Sequence, residues 1–187
     1  MIVRKFLFTA ALAAFACPAA AAAAVTVLGS SSARMCYLNA ENGVHTSPAS
    51  LDDCNVALAT EGLTETDRVA THVNRGILQL RLGRLDAAVA DFDAAIARDP
   101  DQAEAYLNKG MAALRQEGGW EQALALFDTA LAKQTSRPEL AFYGRAVANE
   151  MGGRVKAAYL DYRQASVLAP KWSEPKTELA RFTVRQP

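Results

Sequence analysis

The chain reads as all-α, an array of three antiparallel helix pairs. Three observations carry this. A stripe of small and aromatic residues recurs at helical spacing. The recurrence has a period close to 34 residues: Val69 to Ala103 is 34, and Ala103 to Glu139 is 36. Glycines fall between the two halves of each unit, with prolines at the ends of the first and third. A repeat of this length is one helix–turn–helix that buries its apolar face only against a neighbour.

The first unit has His72-Val73-Asn74-Arg75-Gly76 on its first helix and Ala88, Phe92 and Ala95 on its second, closing at Pro100. The second has Tyr106-Leu107-Asn108-Lys109-Gly110, then Ala123, Phe127 and Ala130. The third has Phe142-Tyr143-Gly144-Arg145-Ala146, then Ala158, Tyr162 and Ala165, closing at Pro170. Gly76, Gly110 and Ala146 face Ala88, Ala123 and Ala158, so each helix pair can approach closely. Phe92, Phe127 and Tyr162 lie one turn further and fill the space between helices. Gly83, Gly119 and Gly153 are placed at the turns, where a left-handed residue ends the first helix. Thr64 with Asp67, Asp101 with Glu104 and Ser136 with Glu139 read as capped starts, near residues 65, 102 and 137. The second unit has one extra residue around Gln116–Gly119 and has Thr135 where the others have proline.

This pattern resembles the tetratricopeptide repeat family over residues 64–172. The resemblance implies a right-handed α-solenoid whose first helices line a concave, non-enzymatic interaction surface. The lining it selects is Val73, Ile77 and Leu80, then Leu107, Asn108, Met111 and Leu114, then Tyr143 and Val147. Asn74, Arg81, Arg115 and Arg145 are the neighbouring polar groups, and Glu150 ends the third stripe. Some family members clamp an acidic C-terminal peptide with lysines and asparagines. Only Asn108 matches that pattern, and Val73, Ile77 and Leu140 stand where polar clamp residues would be. An apolar groove instead suits a protein or peptide segment. The N-terminal segment, a second copy of the chain, or a lipid-like molecule are the alternative occupants.

Terminal units need covers. Lys171–Val184 reads as a capping helix with Ser173 as N-cap, giving a C-terminal element over 173–187. Trp172, Leu179 and Phe182 are positioned to cover the third pair. At the front, residues 25–63 read as a degenerate helix pair, Ser32–Ala40 and Ser50–Ala59.

Residues 1–24 read as an export signal. Arg4 and Lys5 precede the apolar stretch Phe6–Ala16, and Ala19–Ala24 supply the small residues a signal peptidase accepts. The apolar core is about ten residues, short of the roughly twenty that span a bilayer, and the cut is expected after Ala24. An uncleaved anchor and a lipid on Cys17 are the alternatives, the latter a poor fit because Phe15 is large. The expected location is the periplasm or the medium, with no membrane attachment after cleavage.

The mature chain would keep Cys36 and Cys54. In an exported protein an even pair favours a disulfide over buried free thiols. It would enclose about 17 residues, worth on the order of 3 kcal/mol in the chain-entropy model. A Cα separation beyond about 7 Å would exclude it.

Lys and Arg number 20 against 20 Asp and Glu. Removing Arg4 and Lys5 leaves 18 against 20, a net charge of about −2. Such a chain has no basic field for phosphate backbones, so nucleic acid is not an expected partner. No phosphate loop, nucleophile elbow or metal-ligand pattern stands out. His45 sits in a polar loop and His72 on a packing stripe, so neither cofactor, metal nor catalysis is expected. The function expected is that of an adaptor, with a self-associating envelope subunit as the alternative.

Overall fold

A computed structural model describes residues 2–4, 22–28, 31–43 and 46–184. Most of the export signal, with Cys17, lies outside these residues, as do His45 and residues 185–187. Among the described residues there are nine α-helices: α1 (Ser31–Asn42), α2 (Asp52–Thr60), α3 (Glu65–Arg81), α4 (Leu85–Arg98), α5 (Ala103–Ala113), α6 (Trp120–Ala132), α7 (Pro138–Met151), α8 (Val155–Leu168) and α9 (Glu174–Leu179). A short 3-10 turn, Pro48–Leu51, leads into α2. Helix pairs α3–α4, α5–α6 and α7–α8 pack internally and each stacks on the next.

The seams follow from small residues facing rings. Ala88, Phe92, Ala95, Ala123, Phe127, Ala130, Ala158 and Ala165 are fully buried, and Tyr162 is nearly so. A Cβ at Gly76 would stand 2.5 Å from the Phe92 ring, and one at Gly110 2.8 Å from Phe127. Those positions are therefore closed to any side chain. Phe127 also fills the space beside Gly144 on the following pair, so one ring joins two repeats.

Helix starts fall at 65, 103 and 138, one residue or less from expectation. Of the three expected caps, Thr64 forms: its Oγ1 accepts from the Asp67 backbone N–H at 3.1 Å. Gln102 and Arg137 occupy the other two cap positions without a side-chain bond. Two of the expected turn glycines, Gly83 and Gly153, have φ of +74° and +71°. In the second repeat the left-handed residue is Gly118 (φ +71°), not Gly119, because the extra residue shifts the turn and makes Gly119 the N-cap of α6. Where that repeat lacks its proline, Gln134 takes a left-handed φ of +58°. The Thr135 N–H then bonds back to the Ala130 carbonyl at 3.0 Å, ending α6.

Buried ion pairs tie the two helices of repeats one and three. Arg75 donates through Nε and Nη2 to both oxygens of Asp91, at 2.8 and 2.7 Å. Arg145 does the same to Asp161, at 3.0 and 2.7 Å. His72 Nδ1 lies 2.9 Å from Asp91 Oδ1, a packing role that matches its place on the stripe.

At the front, α1 and α2 pack on α3. Cys36 and Cys54 are bridged, with a Cα separation of 4.8 Å, and both are fully buried. The C-terminal cover departs from expectation. Helix α9 spans only Glu174–Leu179, and Phe182–Val184 form strand β2, antiparallel to strand β1 at Ile2–Arg4. The reason lies at Phe182, whose ring packs on Tyr159 and Tyr162 with centroids 5.8 and 6.0 Å away. With β-branched Thr183 and Val184 following, an extended run satisfies that contact better than another helical turn.

Candidate functional site

The expected lining residues come together along α3, α5 and α7, but few are open. Val73, Ile77, Leu80, Leu107, Met111 and Val147 are all buried, while Leu114 and Tyr143 are partly so. Two different covers account for this.

Over the third repeat the cover is C-terminal. Tyr143 packs against Trp172 and Tyr162, with centroids 4.8 and 5.4 Å apart. Glu150 receives Arg181 and the Tyr162 hydroxyl. Burial first, and then the Glu150 charge, push the Tyr162 hydroxyl far above its ordinary pKa, so it stays protonated and donates. Arg145 is spent on Asp161 and Asp128, which with hydrogen bonding hold it well above its ordinary value. Arg115 donates to the Leu80 carbonyl at 2.6 Å. These expected polar lining groups are structural.

Over the first two repeats the cover is residues 22–28, lying without regular secondary structure across α3 and α5. Their main chain is held by side chains. Asn74 on α3 bonds Val25 twice: its Oδ1 accepts from the Val25 N–H at 2.8 Å, and its Nδ2 donates to the Val25 carbonyl at 2.7 Å. Asn108 on α5 donates to the Ala23 carbonyl at 3.1 Å and to the Glu104 carbonyl of its own helix at 2.8 Å. Asp67 Oδ1 accepts from the Leu28 N–H at 3.2 Å. Asn74 and Asn108 are 0% and 2% exposed; the first buried amide finds its partners in the segment, and the second in the segment and its own helix.

The side chains of the segment divide accordingly. Ala23 is buried within the main core cluster, and Ala22, Ala24 and Val25 pack against it. Val27 is buried with Ala33, Ala57 and Ala70, whereas Leu28 is exposed. The groove thus holds an extended chain through its amides and accepts small or β-branched side chains.

Asn74 and Asn108 occupy the same position in consecutive repeats, 34 residues apart. Sequence reasoning selected Asn108 as lining but gave Asn74 only as a neighbour, and it gave Asp67 only as part of the Thr64 cap. The repeated asparagine was the available signal. Among the described residues no group of three His, Cys, Asp or Glu side chains is placed to hold a metal ion, and no helix is long and apolar enough to cross a membrane.

The family model described as tetratricopeptide repeat matches residues 73–117 and 113–171, more than half of the chain. The chain belongs to the tetratricopeptide repeat family. No curated protein matches it. Tetratricopeptide repeats are in general protein-interaction modules, and this chain carries the family's helix pairs.

Proposed function

We propose that this tetratricopeptide repeat protein is a non-enzymatic adaptor of the bacterial envelope that binds an extended segment of a protein partner along α3 and α5. One observation carries the reading: in the uncleaved chain, two buried asparagines at equivalent repeat positions are engaged on the main chain of one segment, residues 22–28. Side-chain amides that pair with main-chain N–H and C=O groups accept many sequences, and neighbouring pockets then select side chains. Export is supported by the Arg4-Lys5 start, the apolar run and the alanines before Val25, and by a buried disulfide of the kind that persists in oxidising compartments. Location in the periplasm or medium follows from that reading.

The test is capture from the native envelope with the tagged full-length gene product, comparing wild type with Asn74→Ala/Asn108→Ala. Loss of the captured protein at unchanged helicity supports the groove; equal capture refutes it. N-terminal sequencing of the recovered protein checks the cut, and a start other than Val25 overturns the assigned position.

Self-association is a second reading, favoured by the exposed Leu160, Val167 and Leu168 on α8, at 41%, 66% and 42%. Light scattering on a size-exclusion column decides it. A dimer dissolved by Val167→Lys supports this reading, and a monomer at all concentrations removes it.

A further inference from the structure

We infer that, in the chain before the cut, residues 22–28 are a displaceable intramolecular ligand, occupying the groove in place of a partner segment of the same chemistry: extended, with a small residue over Asn108 and β-branched residues beyond it; a cut after Ala24 takes Ala22–Ala24 away and vacates the position over Asn108. The inference rests on reading the groove as the binding surface and adds what fills it and what it selects.

The way the segment is held supports this. A strand that is part of the scaffold meets its main-chain needs in a ladder with another strand. Residues 22–28 have no such ladder, and their bonds run to the side chains of Asn74, Asn108 and Asp67. These contacts make no use of the segment's being in the same chain, so a separate peptide could form each of them. The direction is also fixed: the chain runs from the second repeat at Ala23 to the first at Val25 and Leu28.

The balance of terms favours release. Only Ala23 and Val27 are fully buried, and both are small. Ordering seven residues opposes that gain residue by residue. Elements held by few apolar contacts belong to the part of a protein that opens locally. What keeps the segment in place is its membership of the same chain, since a short tether raises the effective concentration to about the millimolar range. Two residues separate Leu28 from the start of α1 at Ser31, so the Leu28 end stays close to the groove and opening begins over Asn108. A competing segment enters first over Asn108.

The selection follows from the pockets. Ala23 is 1% exposed within a packed cluster that includes Leu107 and Met111, so the position over Asn108 takes alanine, glycine or serine. Val25 and Val27 alternate with exposed Thr26 and Leu28, as an extended strand requires.

The experiment uses the full chain, purified uncleaved with Cys36–Cys54 formed, and a fluorescent peptide of sequence Ala-Ala-Ala-Val-Thr-Val-Leu. Ala23→Arg cannot seat its side chain, and Val25→Pro loses the N–H that Asn74 accepts, so either variant expels the segment by a different route. Circular dichroism confirms that each is folded. The expected result is that both variants bind the peptide at least about tenfold more tightly than wild type, and that adding Asn74→Ala and Asn108→Ala to Ala23→Arg removes binding. Equal binding by wild type and variants overturns the intramolecular ligand while leaving the groove intact. Absence of binding by both folded variants overturns the inferred chemistry, whereas failure of the groove itself would show as asparagine-independent capture of the partner.

Discussion

Asp91 shows how one side chain can hold a helix pair together. Burial pushes its carboxyl upward, but hydrogen bonds from His72 and Arg75, with the charge of Arg75, more than offset this and hold it below the usual carboxylate range. A folded-state value lower than the unfolded one means that ionised Asp91 stabilises the fold above about pH 4, the unfolded carboxylate value. That contribution fades as pH falls through the folded value. Asp91→Asn should therefore lower stability at pH 7 by about 3 kcal/mol, the range for breaking a buried pair. It should also flatten the pH dependence of stability below about pH 4; urea melts across that range check both. At Gly76 the limit is steric. A side chain there meets the Phe92 ring at 2.5 Å, so Gly76→Val should cost about 1–3 kcal/mol or more by overpacking, seen as a lower Tm. Gly76 and Phe92 were legible in the sequence because each is a residue type repeated at a fixed interval. Arg75–Asp91 was not, since an acid on a helix face reads as solvated until the partner helix brings a guanidinium to it.

At the scale of single elements, the ends of α6 and α9 are the instructive ones. Helix α6 closes on a left-handed glutamine where glycine is the usual choice. Gln134→Gly should raise stability by up to about 1 kcal/mol, measurable as a rise in Tm. Sequence patterning placed the helices to within a residue or two because the apolar stripe fixes them. It failed at the C-terminus, where Phe182 obeys both a helical and an alternating pattern, and only the rings of Tyr159 and Tyr162 decide between them. The front pair depends on a covalent link. Helices α1 and α2 are short, and their bridge encloses about 17 residues, so Cys54→Ala should remove about 3 kcal/mol. Hydrogen exchange should show the loss concentrated in α1, α2 and residues 22–28, with α5–α8 little changed.

Across the whole molecule, stability in such an array is a sum of repeat and interface terms. Phe127 enters both, since its ring closes against Gly110 within its own pair and Gly144 in the next. Phe127→Ala should cost about 3–5 kcal/mol and expose α5–α8 to exchange together. A lesion at Phe92 should spare α7 and α8. The candidate site was only half visible beforehand. Its lining came from repeat spacing, and its polar readers came from one asparagine of two. Its occupant, the N-terminal segment, was only one alternative among several, because an alanine-rich stretch after an apolar run carries a targeting pattern and gives no sign of where it docks.

The two asparagines have no third companion. The equivalent position in the last repeat is Gly144, and any carbon attached there runs into Phe127. The count of amides that can grip a visiting chain is therefore set at two by the same ring that welds the repeats together. Lengthening the grip would need Phe127 to shrink first, at the expense of the joint. Selection can retune which residues the cradle admits far more readily than how many it measures.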